Sequence, residues 1–361
     1  MRPKIDRIAD ITVCLRPFRA AGPRLDTEQI GDAVVVHNYG HGGSGWSLSW
    51  GSGMIAVGKA MARGPAEIAV IGCGALGLTS AILAQRAGAK VTIYAREFLP
   101  ETRSARASGS WSPDSRIALT EAAGPGFATL WEQMARTSFA TYLAALDLPG
   151  RPIERSESYA ILDRPIEALR ALGPPPEPLG FASYRRAIED LLPDWQQAPT
   201  GSTPFDAPYV YRSGSLTFNI ADYGRQLMSD FLAAGGELQR REFHAPGELA
   251  QLPQKTVINC PGYGARALWD DASVTPVRGQ ITWLPAEPDL NYSLHANDIY
   301  MLARRDGIVI QATHGGNMNG YGEERETPDR AEAERAVRDL AELYVRFGKA
   351  PLPPCPGFPR D

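Results

Sequence analysis

Apolar positions in this chain follow two rhythms. Short unbroken runs read as strands: ITVCL (11–15), ending at Arg16-Pro17, AVVVHNY (33–39), EIAVIG (67–72), KVTIYA (90–95) and KTVINCPG (255–262). The last three have the near-continuous apolar character of strands buried on both faces of a parallel sheet. Helical spacing sets in at Ser44, where Trp46, Trp50, Met54, Ile55 and Met61 share one face until Gly64-Pro65 ends it. Further helices are predicted over ALGLTSAILAQRAG (75–88), around Phe127–Leu146 with Leu130, Met134, Phe139 and Leu143 on one stripe, and over 221–238, closed by Gly235-Gly236. The run 327–347 predicts another, with Thr327-Pro328 as cap and first position. ELQRREF (237–243) and the end of PGRPIERSESYAIL predict strands, and RGQITWL (278–284) and GIVIQAT (307–313) predict strands of an antiparallel sheet. PPPEP (174–178) reads as a loop, and the Pro-rich last fourteen residues as a surface path. The strand, helix and strand over 67–95 form a βαβ unit.

Composition adds mainly exclusions. Of 361 residues, 43% are hydrophobic and 22% charged, a globular balance with room for two domains. A net charge of -4 leaves no basic footprint for nucleic acid. Cys14, Cys73, Cys260 and Cys355 lack zinc or redox-motif spacing and read as free thiols, and the five histidines form no metal-ligand set. The opening MRPKIDRIAD has no signal-peptide core, and no window reaches the ~18 apolar residues of a membrane span. The expectation is a cytoplasmic protein with neither membrane nor nucleic acid as partner.

The first chemical signal is IGCGALG, in which Gly72, Gly74 and Gly77 form G-x-G-x-x-G between a buried strand and a helix. Gly72 would make the tight turn, Gly74 admit a pyrophosphate to the backbone, and Gly77 let helix and strand pack. The amides from Ala75 and Leu76 onward, at the positive helix end, suit phosphates. Glu97 ends the next strand, where an acid holds an adenosine ribose. Arg96 beside it would favour a 2′-phosphate; Glu97 speaks for free hydroxyls. The fingerprint leaves FAD and NAD open.

A second signal lies ahead of it. RPFRAAGPRL followed by VVVHNYGHGGSGWSLSWG closely resembles the signature of the D-amino-acid oxidase family of flavoproteins, R-P-x-R, then R-L, then H-N-Y-G-H-G-G. YAREFLPETRSARASGSWSP, VINCPGYGARAL, PVRGQI and DIYMLARRDGIVI resemble further family segments, so the likeness spans most of the chain. The order differs, because in the family the dinucleotide strand comes first and H-N-Y-G-H-G-G last. Here residues 3–63 match the family's last piece, its first strand begins near Glu67, and the old ends would be joined through ARGPAE (62–67). The chain therefore resembles a circular permutation, with new ends between the helix at 329–347 and the strand at Ile11.

The resemblance implies FAD as cofactor and an α/β fold: a Rossmann-type FAD-binding domain (20–120 and 209–272) plus a smaller α+β substrate domain with an antiparallel sheet (1–19, 121–208 and 273–361). It implies that Arg16 and Tyr300 grip a substrate carboxylate and that the Gly43 carbonyl accepts the substrate amine. The flavin would lie against Gly42, Gly43, Ser44, Gly45, Trp46 and Ser47, whose helix start suits an anionic reduced flavin. Contacts at Arg103, Ser104, Ser108, Gly109, Ser110 and Phe243 complete the implied set, and Arg24 would lie near the flavin. His37 and His41 read as loop supports, not bases. Where mammalian members carry a second tyrosine on a lid, this chain has Ala296, which leaves the substrate open.

The implied reaction passes the α-hydrogen of a D-amino acid to FAD as hydride, giving an imino acid, then keto acid and ammonia, with oxygen as acceptor and peroxide as product. Oxidation of another amine, such as an N-substituted glycine or a biosynthetic intermediate, stays open. So do a flavin-binding protein without turnover and a homodimer. A nicotinamide-dependent dehydrogenase is disfavoured by the glycine-rich loop.

Overall fold

The computed structural model describes residues 1, 3–173 and 178–349. The chain opens on β1 (Asp10–Arg19), then β2 (Thr27–Ile30) and β3 (Ala33–His37), and a glycine turn delivers it to α1 (Gly45–Ala60). The expected βαβ unit follows as β4 (Glu67–Ile71), α2 (Ala75–Arg86) and β5 (Lys90–Ala95). Next come α3 (Phe127–Leu143), β6 (Ile153–Ile161), α4 (Ile166–Leu172), β7 (Gln196–Gln197) and β8 (Val210–Phe218). After α5 (Ile220–Ala233), β9 (Glu237–Arg240), β10 (Thr256–Asn259) and the short α6 (Ala265–Leu268), the meander β11 (Val274–Leu284), β12 (Tyr292–Ala296), β13 (Ile299–Arg304) and β14 (Gly307–Ala312) leads to α7 (Arg330–Phe347).

Two sheets result. The first has the order β2-β3-β10-β4-β5-β9, parallel throughout except for the β2 edge. Its central strands are buried on both faces, as their unbroken apolar runs require. The second has the order β1-β11-β14-β13-β12-β6-β8-β7 and is antiparallel except where β12 runs parallel to β6. With eight strands it is the larger of the two sheets. It also takes in β8 (210–218), which a boundary at 209 assigns to the other unit.

Several expected elements shift for identifiable reasons. β1 runs on through Arg16-Pro17 because it is an edge strand, where proline removes no needed ladder bond. On α1, Trp46 and Trp50 are buried as expected, but Met54 is 53% exposed and Val57 joins the buried face in its place. Gly51 makes that face possible: a Cβ there would lie 2.2 Å from the Met134 carbonyl of α3. α1 ends through a 3-10 turn at Gly64, φ +61, as Gly64-Pro65 predicts. α7 is capped not by Thr327 but by Asp329, whose carboxylate accepts from the Glu332 amide at 3.0 Å. Cys73 and Cys260 are buried free thiols and Cys14 is half-buried. Cys355, most of the proline loop and nearly all of the C-terminal run lie outside the described residues.

No helix among the described residues is long and apolar enough to cross a membrane.

Candidate functional site

A cavity of about 950 Å³ runs from the carboxyl ends of β3, β4 and β10, where open parallel sheets bind ligands, to one face of the eight-stranded sheet. It lies at the upper end of the range for small-molecule sites, which suits a dinucleotide and a substrate together.

At the dinucleotide end the glycines are dictated by contact. Gly72 has φ +94, and a Cβ there would meet the Cys260 carbonyl at 2.4 Å. Gly74 immediately precedes α2, and a Cβ on it would lie 2.7 Å from Ser104 Oγ, which accepts from the Ala75 amide at 3.0 Å. Gly77 does not line the cavity; its Cβ would fall 2.0 Å from the Gly72 carbonyl, so it serves helix–strand packing. Ala75, Leu76, Glu97 and Phe243 line the wall. Arg96 donates to Glu97 at 3.1 Å and to Glu242 at 2.9 Å, so two carboxylates occupy the guanidinium that a 2′-phosphate would need.

The glycine turn closes the middle. A Cβ on Gly42, φ +54, would sit 1.9 Å from the Arg116 carbonyl, and one on Gly43 2.4 Å from Ser115 Oγ. The Gly43 amide donates to the Ser115 carbonyl at 2.9 Å. Gly42, Gly43, Gly45 and Trp46 line the cavity, and so do Arg103, Ser104, Ser108 and Ser110. Ser44, Ser47 and Gly109 stand behind the wall. Ser44 Oγ donates to the Ser115 carbonyl at 3.2 Å, Ser47 Oγ accepts from the Ser112 amide at 2.8 Å, and Gly109 packs on the Phe218 carbonyl. The start of α1 has no side-chain cap, which leaves its amides available.

His37 and His41 are supports, as expected. His37 sits between Glu28 and Asn259, outside the cavity. Ser52 donates to Asn38 Oδ1 at 2.6 Å and so accepts from His41 Nε2 at 2.7 Å, which leaves Nδ1 of His41 as an acceptor. Burial pushes the pKa of His41 down to about 3. Arg24, by contrast, does not face the cavity. It donates to Asp26, Glu28 and Tyr39 at 2.8–3.1 Å.

The donor set fits FAD. Among buried side-chain atoms without a protein partner, His41 Nδ1, Thr102 Oγ1, Arg103 Nε and Trp111 Nε1 all belong to lining residues, and they offer both donors and acceptors.

At the sheet end Arg16 and Tyr300 line the same cavity. Arg16 forms no ion pair among the described residues, and burial lowers its pKa. Its guanidinium crosses β11 over Gly279, where a Cβ would lie 2.5 Å from Nη2. Burial pushes the Tyr300 phenol up to about 12. The strand pair β12 and β13 turns tightly through Asn297, φ +48, so no lid grows from Ala296. The cover comes from residues 162–173 and 178–195 instead, through Ile166, Leu169, Arg185, Leu192 and Trp195. That cover and Gly279 escaped sequence reasoning, although Gly279 is the glycine of PVRGQI.

Comparison with known proteins agrees with this geometry. Residues 67–355 match the family profile DAO, FAD dependent oxidoreductase. The chain is 25% identical over 291 residues to a D-amino-acid oxidase of Dictyostelium discoideum, covering 78% of this chain and 74% of that one. It is 29% identical over 287 residues to a D-amino-acid oxidase of Rubrobacter xylanophilus, covering 78% of both. The glycine oxidase structure from Geobacillus kaustophilus shares its fold with a TM-score of 0.55 at 14% identity, over 79% of this chain and 80% of that one.

Proposed function

The chain belongs to the DAO family of FAD-dependent oxidoreductases, which act on amino acids and amines, and from that premise we propose that it oxidises the C–N bond of a D-amino acid. The observation that carries this reading is Arg16: a half-buried guanidinium with no counter-ion among the described residues, open to the cavity. A planar fork of donors in low dielectric is a carboxylate site. Arg16 and Tyr300 hold the substrate carboxylate, and the Gly43 carbonyl accepts a hydrogen bond from the neutral amine. FAD, when bound, supplies the hydride acceptor and hands the electrons to oxygen. With the amine neutral, no side chain need remove a proton; water converts the imino acid to keto acid and ammonia after release. His41, held neutral, accepts a hydrogen bond and does not act as base.

The uncapped start of α1 offers amides to the pyrimidine edge of the flavin. We read the segment order as a circular permutation: the family match begins at residue 67, while residues 10–60 supply β1 to one sheet, β2 and β3 to the other, and the helix α1.

The test is anaerobic bleaching of the flavin spectrum by a panel of D- and L-amino acids and N-substituted glycines, with Arg16→Ala beside the native protein. D-amino acids bleach the native flavin, and the variant loses about 10²-fold in kcat/KM. Equal rates in the variant remove the carboxylate role; bleaching by N-substituted glycines alone replaces the substrate.

A further inference from the structure

The substrate end of the cavity carries more positive charge than one carboxylate requires. Among the described residues only two acidic ones, Glu97 and Glu242, line the cavity, and both accept from Arg96 at the dinucleotide end. Between the eight-stranded sheet and its cover no carboxylate lines the wall, yet a second arginine does: Arg185, an exposed residue of the cover. Among the described residues no carboxylate lies within 4.0 Å of Arg185; Asp194 of the same segment pairs with Arg170 at 3.0 Å and feels the Arg185 charge from farther off. His295 faces this compartment from β12. Its ring lies 4.7 Å from that of Tyr300 and 5.9 Å from that of Trp195, and no group among the described residues hydrogen-bonds it. His295 is an exposed residue on the cavity wall; desolvation by the surrounding protein, and then the nearby Arg185 charge, lower its pKa, and the imidazole offers an N–H that can donate a hydrogen bond.

Resting on the D-amino-acid oxidase reading, we propose that this compartment takes the side chain of an acidic D-amino acid, its second carboxylate set between Arg185 and the imidazole of His295. Tyr300, which in that reading holds the α-carboxylate with Arg16, is the cross-strand partner of His295, their rings 4.7 Å apart, so a short side chain ending in a carboxylate reaches from the anchored α-carboxylate to this compartment and a methyl group leaves it unfilled. The wall between is mixed, with Ser158 and Ser213 on the sheet and Leu169 and Leu192 on the cover, so the methylenes meet apolar surface and only the end group is charged.

The FAD-loaded protein is assayed on two near-isosteric pairs, D-glutamate with D-glutamine and D-aspartate with D-asparagine, by flavin bleaching and by peroxide release. At least one acid exceeds its amide by about tenfold in kcat/KM, as the loss of a charged partner implies. Arg185→Gln lowers that ratio by about fivefold or more, and raising salt from about 50 to about 500 mM lowers it in the native protein. Arg186→Gln, at an exposed arginine that does not line the cavity, leaves the ratio within about twofold. Acid-to-amide ratios near one in both pairs, or a ratio unmoved by Arg185→Gln, overturn the proposal while neutral D-amino acids still bleach the flavin. If no D-amino acid bleaches it, the parent reading falls and this one with it.

Discussion

Gly279→Ala is the sharpest test of how the carboxylate site is built. The residue lies inside β11, and its φ is outside the left-handed region, so alanine meets no backbone strain. The new methyl carbon, however, would lie 2.5 Å from Nη2, 2.7 Å from Cζ and 3.2 Å from Nε of Arg16. Ordinary contact begins near about 3.5 Å, so the guanidinium must retreat by about 1 Å. A displacement of that size in a positioning group costs on the order of 10²-fold, and losing a charge-assisted hydrogen bond outright costs about 1.5–3 kcal/mol. The assay is steady-state kcat/KM on the best D-amino acid, together with the Kd of a non-reacting carboxylate read from the flavin absorbance shift. Both should worsen by about 10- to 100-fold, with the melting temperature nearly unchanged. A variant that binds the carboxylate with unaltered Kd would refute the placement of Arg16 over β11.

Two further outcomes follow from contacts and burial. Gly77→Ala drives a methyl to 2.0 Å from the Gly72 carbonyl, so flavin content, measured as the 450 to 280 nm absorbance ratio, should fall with about 1–3 kcal/mol of stability, whereas Gly58→Ala, with open space around it on α1, should keep both. His41 titrates near 3 when folded and near about 6.5 when unfolded, so the unfolded chain takes up a proton that the folded one refuses. Its contribution is complete above about pH 6.5 and is lost at up to about 1.4 kcal/mol per pH unit as pH falls toward 3. Urea midpoints from pH 7 to 4 should therefore fall less steeply, by about one proton, in His41→Gln; an unchanged slope would count against a neutral His41.

The strands β3, β4, β5 and β10 were legible because strands covered on both faces must be apolar throughout, which is visible locally. The glycine fingerprint was legible for a related reason, since Gly72 and Gly77 answer to contacts within a single βαβ turn and β10 beside it. β8 and β12 were not assigned: β8 interleaves Arg212, Ser213, Gly214 and Ser215, and its pairing with β6 is a tertiary fact. Met54 was misassigned to the buried face of α1 because periodicity cannot see Gly51 admitting α3. In the site, the resemblance led to Arg16, Tyr300 and Gly43, which line one cavity, but it misplaced Arg24, whose acidic partners Asp26 and Glu28 lie two and four residues further on in the sequence. Arg185 and His295 carry no motif; only the folding of residues 162–173 and 178–195 over the sheet brings them together.

The pairing of β3 has a consequence for biosynthesis. Its hydrogen-bonded neighbours are β2 and β10, and β10 begins at Thr256, more than two hundred residues downstream of Val34. At translation rates of about 5–20 residues per second, Val34, Val35 and Val36 leave the ribosome on the order of 10–45 s before their long-range partner strand exists. For that interval β3 has β2 as its one sheet neighbour, and the six-stranded sheet joins β3 to β4 only once β10 has been made.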